Sequence, residues 1–141
     1  MKTFALALLA STVLSTNLSA VPCDLETIDL VNNEVDAQGY TVAPGETLEF
    51  IFKENPTTGY MWNYDKTIVK GLYKVKSSYK QDKSCRPGMS GCGGVRRFKI
   101  TAGPKEGDGI FYICNSPPWE GEVRYDVMRV GSQCEEIRIR V

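Results

Sequence analysis

Along most of the chain, apolar and polar residues alternate with a period of two. Leu48, Phe50 and Phe52 alternate with Glu49 and Lys53, Tyr73, Val75 and Ser77 alternate with lysines, and Phe98 and Ile100 alternate with Arg97 and Lys99. Successive side chains of a strand point to opposite faces, so this pattern predicts half-buried strands. Further strands are predicted at 25–31, 60–64, 109–114, 122–130 and 136–141. AlaProGlyGlu at 43–46 and GlyProLysGluGlyAsp at 103–108 carry turn chemistry between them. Seven or eight short strands at this spacing predict an all-β, immunoglobulin-like antiparallel β-sandwich. Trp62, flanked by apolar and aromatic residues on an early strand, is predicted to lie in its core.

The first twenty residues break the pattern. Lys2 precedes an apolar run from Phe4 to Leu9, and small residues surround Ser19 and Ala20. This reads as a secretory signal peptide over 1–20, with one domain over 21–141. Ser11, Thr12, Ser15, Thr16 and Asn17 interrupt the apolar run well before the ~20 residues a membrane span requires. The expected location is outside the cell or within the secretory and vesicular, lysosome-like pathway.

Composition narrows the function. The chain has no histidine, which removes the commonest general base and metal ligand, so no catalytic residues are assigned and an enzyme is not expected. All five cysteines, Cys23, Cys85, Cys92, Cys114 and Cys134, follow the leader, and no CxxC pair occurs. Two disulfides and one odd thiol are therefore preferred over a metal site, and no cofactor is expected. Lysine plus arginine and aspartate plus glutamate each number 17, read as balanced along the chain. No basic face for nucleic acid or an anionic membrane is expected from that balance.

Three segments are more specialised than connecting turns. Asn55, Pro56, Thr57, Thr58, Gly59 and Tyr60 form a stretch stiffened by proline and β-branched residues, with hydroxyls at its tip. Gly91, Cys92, Gly93 and Gly94 leave the backbone nearly bare for pairing with another chain. Pro117, Pro118 and Trp119 place a large ring among polar neighbours, where a partner would account for it. Each also has a plainer reading: a turn, a flexible hairpin, or a tryptophan folded back on the sheet.

In this order and strand context, the three segments resemble the chagasin-type inhibitors of papain-like cysteine proteases, whose loops read NPTTGY, GxGG and RPW. The resemblance spans essentially the whole chain after the leader. The first motif matches in full, the second at Gly91, Gly93 and Gly94, and the third at Pro118 and Trp119, with Pro117 in place of the usual arginine. The resemblance implies a monomeric, reversible, tight-binding inhibitor with all three loops at one end of the sandwich. The central loop would cover the protease's catalytic residues, and the other two would flank it. Met89, just before the glycine loop, would enter the second specificity pocket. With strands running as the family implies, Cys85 pairs with Cys92 and Cys114 with Cys134, leaving Cys23 unpaired. Pairing of Cys23 with Cys134 is the alternative. The rival function is a secreted adhesion or recognition module, since fold alone does not fix function.

Overall fold

The structure, a computed structural model, describes residues 25–68, 71–127 and 132–141. The proposed signal peptide, Cys23 and the last residues of the predicted strand 122–130 lie outside the described residues.

Eight strands follow one another: β1 (Leu25–Asp29), β2 (Tyr40–Thr41), β3 (Thr47–Glu54), β4 (Met61–Tyr64), β5 (Tyr73–Gln81), β6 (Gly94–Ala102), β7 (Asp108–Ser116) and β8 (Gln133–Arg140). They form two four-stranded sheets, ordered β1-β3-β6-β5 and β2-β8-β7-β4. Single turns of 3-10 helix at Pro56–Thr58 and Pro118–Glu120 are the only helical pieces among the described residues.

The period-two pattern explains the packing. Leu48 pairs with Ile100 and Phe50 with Phe98 across β3 and β6, and all four are buried on the inner face. The second sheet answers with Phe111, Ile113, Ile137 and Ile139, none more than 1% exposed. Phe98 meets Phe111 edge-on at 5.6 Å between ring centres and Phe52 at 5.9 Å, while Trp62 lies 4.6 Å from Phe52. Such offset and T-shaped contacts suit the ring quadrupoles and add to the stabilisation from burial. Trp62 is a core residue, 6% exposed, and its indole N–H donates to the Lys53 carbonyl at 2.9 Å.

Three expectations need correction. The sandwich is not wholly antiparallel, because the edge strands β1 and β2 run parallel to β3 and β8. The chain passes from the edge of one sheet to the edge of the other through residues 30–39. It leaves β1 at a turn in which the Asp29 carboxylate accepts the Val31 N–H at 2.9 Å. Residues 122–127 are not a strand. Asp65 Oδ2 takes the Tyr125 N–H at 2.8 Å, and the Val127 N–H bonds back to Arg124, so neither amide serves a ladder. Finally, charge is not balanced along the chain. Eleven of the seventeen basic residues and one of the seventeen acidic ones fall between positions 66 and 105. That stretch contains β5 and β6, so basic residues concentrate on the outer face of the first sheet.

Candidate functional site

The 55–60 loop joins the last residue of β3 to the first of β4 and is held mainly by its own side chains. Asn55 Oδ1 accepts the Thr57 N–H at 3.2 Å and the Thr57 hydroxyl at 2.6 Å. The Asn55 carbonyl accepts both the N–H (3.1 Å) and the hydroxyl (2.7 Å) of Thr58, and Thr58 Oγ1 in turn accepts the Tyr60 N–H at 3.3 Å. Pro56 supplies the fixed φ of a first helical position, and its carbonyl takes the Gly59 N–H at 3.0 Å. Gly59 closes the turn at φ +82°, in the left-handed region a Cβ disfavours. Thr57, Thr58 and Tyr60 are left facing solvent.

Beneath this loop lies a buried ion pair that sequence reasoning missed. Glu54, its side chain fully buried, receives Arg96 Nη2 at 2.7 Å, Arg96 Nε at 3.1 Å and the Trp62 backbone N–H at 2.8 Å. One carboxylate thereby fixes β3, β4 and β6 where the loop emerges. The signal was present as parity: Glu54 shares a face with Phe52 and Phe50, and Arg96 shares one with Phe98. A charge on each core face, at cross-strand neighbours, calls for a mutual partner.

The second loop, residues 82–93, is closed covalently. Cys85 and Cys92 are bridged, with Cα atoms 5.8 Å apart. Turns at Asp82–Cys85 and Arg86–Met89 fold the segment between, and Met89 stands 53% exposed at its outer edge. The loop touches the first through Asn55 Nδ2, which donates to the Gly91 carbonyl at 3.3 Å. Gly94 differs from the other motif glycines. It is buried in β6, where a Cβ would collide with the Lys80 carbonyl, so it serves strand pairing rather than an exposed surface.

The third loop follows β7. Trp119 is 76% exposed, and its ring edge lies over Gly59, where a Cβ would sit 3.5 Å from Cη2. Pro118 is exposed beside it, whereas Pro117 is fully buried and offers no side chain to a partner. Position 117, where the resemblance would put an arginine, therefore faces inward. Cys114 faces Cys134 across β7 and β8, and their disulfide links the strand leading into this loop to the strand that follows it. On the far side of the loop, Asp65 anchors Tyr125. Burial alone would push the Asp65 carboxyl up, but hydrogen bonds from the Thr67 hydroxyl and the Tyr125 and Thr67 N–H groups, with Arg124 nearby, hold it below the ordinary aspartate value.

Fold and site together define a β-sandwich that carries at one end a contiguous ridge of three stiffened loops. Both threonine hydroxyls already donate within the loop, and no group of three or more potential metal ligands occurs among the described residues. What the ridge turns outward is an ordered surface that includes Thr57, Thr58, Met89 and Trp119.

Comparison with known proteins agrees. Residues 41–130 match the family described as Chagasin family peptidase inhibitor I42. Amoebiasin-1 of Entamoeba histolytica is 40% identical over 79 residues, which is 56% of this chain and 72% of that one. The solution structure of amebosin superposes with a TM-score of 0.58 at 28% identity, over 82% of this chain and 96% of that one. The crystal structure of EhICP2, a cysteine protease inhibitor from Entamoeba histolytica, shares the fold with a TM-score of 0.54 at 17% identity, over 83% and 95% of the two chains. The chain belongs to the chagasin family of peptidase inhibitors, a family of inhibitors and not of enzymes.

Proposed function

We propose that the protein inhibits papain-like cysteine proteases reversibly, seating the 55–60 loop over the catalytic centre with the 82–93 loop and Trp119 on either arm of the cleft. The observation that carries this reading is the convergence of three motifs distant in sequence. Asn55 bonds Gly91, and Trp119 covers Gly59, so the three loops form one continuous wedge. The central loop is also a poor substrate. It is a 3-10 turn whose Asn55 and Pro56 carbonyls are occupied internally, not an extended strand that offers a peptide bond for attack at about 3–3.5 Å. Protease–inhibitor interfaces typically bury roughly 1,600 Å² in total, and loops already ordered before docking lose little entropy on binding. Met89, exposed just before the glycine motif, would enter the second specificity pocket in this reading. We place the protein in the secretory or vesicular pathway on the strength of the leader at 1–20, acting as a monomer on one protease at a time. Titration of the purified chain against papain tests the reading. A stoichiometric endpoint with intact inhibitor recovered afterwards supports it, and full protease activity at micromolar excess refutes it.

A further inference from the structure

The three loops leave unexplained the outer face of the first sheet. On β5, Tyr73 and Val75 turn inward to the core, so the same alternation puts Lys74, Lys76 and Lys80 on the outside, all exposed. On β6, Arg97 and Lys99 share that outer face, and Lys76 pairs directly with Lys99. Among the described residues, Glu49 of β3 is the carboxylate that offsets them, at 2.7 Å from Arg97 and 3.7 Å from Lys99. Among the described residues, no carboxylate lies within ion-pair distance of Lys74, Lys76 or Lys80. Alternate residues of a strand are about 6.8 Å apart and neighbouring strands about 4.8 Å, so the cations form two close rows along the flank of the sandwich. Like charges directly opposite across a ladder cost stability, and the Lys76–Lys99 pair has no carboxylate of its own beyond the shared Glu49.

We propose that this face binds a linear anionic polysaccharide of the sulfated type. Two adjacent rows of cations, interrupted on β5 at Ser78, suit a chain carrying repeated negative charge, and binding would release counterions from both. The tyrosines of β5 point inward, so the face has no rings on which nucleobases could stack. The exposed large apolar residues, such as Leu25, Met89 and Trp119, all lie off β5 and β6, so none stands within the two rows of cations to insert into a lipid surface beside them. A glycan lying along this flank leaves the loop end open, so the inhibitor can be retained on a glycan-coated surface and remain active there.

Heparin serves as the probe. The purified chain should bind heparin near 0.15 M salt, and Lys74→Gln/Lys76→Gln/Lys80→Gln should bind at least tenfold more weakly. The salt dependence should fall by about three in the log–log slope, one for each lost cation. The matching triple Lys→Arg variant should retain binding. Arg138→Gln/Arg140→Gln, on the second sheet, should change it less than twofold, and inhibition of papain should be the same in all of them. Equal losses in the two Gln variants would reduce the effect to net charge and overturn the proposal. So would tighter binding to poly(U) or to vesicles of one-third phosphatidylserine than to heparin. Unaltered heparin binding by a triple Gln variant that aggregates would instead make the lysines guards of an edge strand.

Discussion

The central loop and the glycine loop meet through one hydrogen bond, yet they are made rigid by opposite means. Residues 55–60 contain no cysteine to crosslink: two threonine hydroxyls, the Asn55 amide, Pro56 and a 3-10 turn hold the loop above the buried Glu54–Arg96 pair. Residues 82–93 have few internal hydrogen bonds and rely on the Cys85–Cys92 bridge. A short loop rich in side-chain acceptors can be fixed from within. A longer, glycine-rich one is closed by a crosslink. The first loop should therefore fail together with the sandwich, and the second should fail alone.

The largest effect should come from beneath the central loop. Glu54→Ala leaves Arg96 and the Trp62 N–H without their acceptor in a buried site, and breaking such a pair typically costs about 3–5 kcal/mol. Thermal unfolding should show a large fall in the melting temperature, with inhibition lost in parallel. Glu54→Leu/Arg96→Met removes both charges and should recover part of that stability. Wild-type melting of the single variant would show that the ion pair does not hold the loop base.

Opening the second loop should separate stability from function. For Cys85→Ser/Cys92→Ser, chain entropy sets the stability loss at about 2–3 kcal/mol at most. Inhibition should weaken by more than this fall in stability explains, because the loop loses its shape while the sheets persist. Denaturant titration alongside inhibition constants, measured without reductant for the wild type, makes the comparison. A proportionate fall in both would assign the bridge to the fold instead.

Trp119 tests the ridge without touching the core. Its ring is mostly solvent-exposed, so Trp119→Ala should leave the melting temperature within about 1 °C while inhibition drops by roughly 2 kcal/mol, the scale of an interface hot spot. An unchanged inhibition constant would remove the third loop from the binding surface.

How much of this was legible beforehand depends on how far apart the interacting residues lie. The loop motifs and the strands of β3, β5 and β6 rest on neighbours one to five positions apart, and local pattern displays them directly. The Glu54–Arg96 pair joins residues 42 apart, and its parity signal is readable only once β3 and β6 are known to be adjacent. The parallel edge strands β1 and β2 left no mark in the alternation, which does not encode direction. Val123, Tyr125 and Val127 mimic a strand, but Asp65, sixty residues from Tyr125, takes the amide that a ladder would need. Pro117 and Gly94 were read as surface because their motif neighbours are. Equal totals of acid and base concealed the basic flank, since a sum over the chain averages away what a sheet sorts by face.

The smallest effect should be a dependence on acid. Asp65 secures the segment after the third loop, and its carboxyl is held below the ordinary value of 3.8 in the folded protein. A depressed carboxylate contributes stability that is fully present above its unfolded pKa and disappears as pH falls through its folded one. The tether should therefore be intact at neutral pH and released progressively below about pH 3.8. Other carboxylates also titrate there, so the informative quantity is the difference from Asp65→Asn. That variant keeps the shape but replaces one acceptor with an amide donor facing Thr67 or the Tyr125 N–H, at a cost on the order of 1 kcal/mol near pH 6. Denaturant titrations of both proteins from pH 6 to pH 2 should show that difference shrinking towards zero as the wild-type carboxylate takes up its proton. Amide hydrogen exchange at Tyr125 should rise over the same interval. A stability gap constant down to pH 2, or Tyr125 exchange that ignores the substitution, would show that Asp65 does not hold the third loop's far side by its charge.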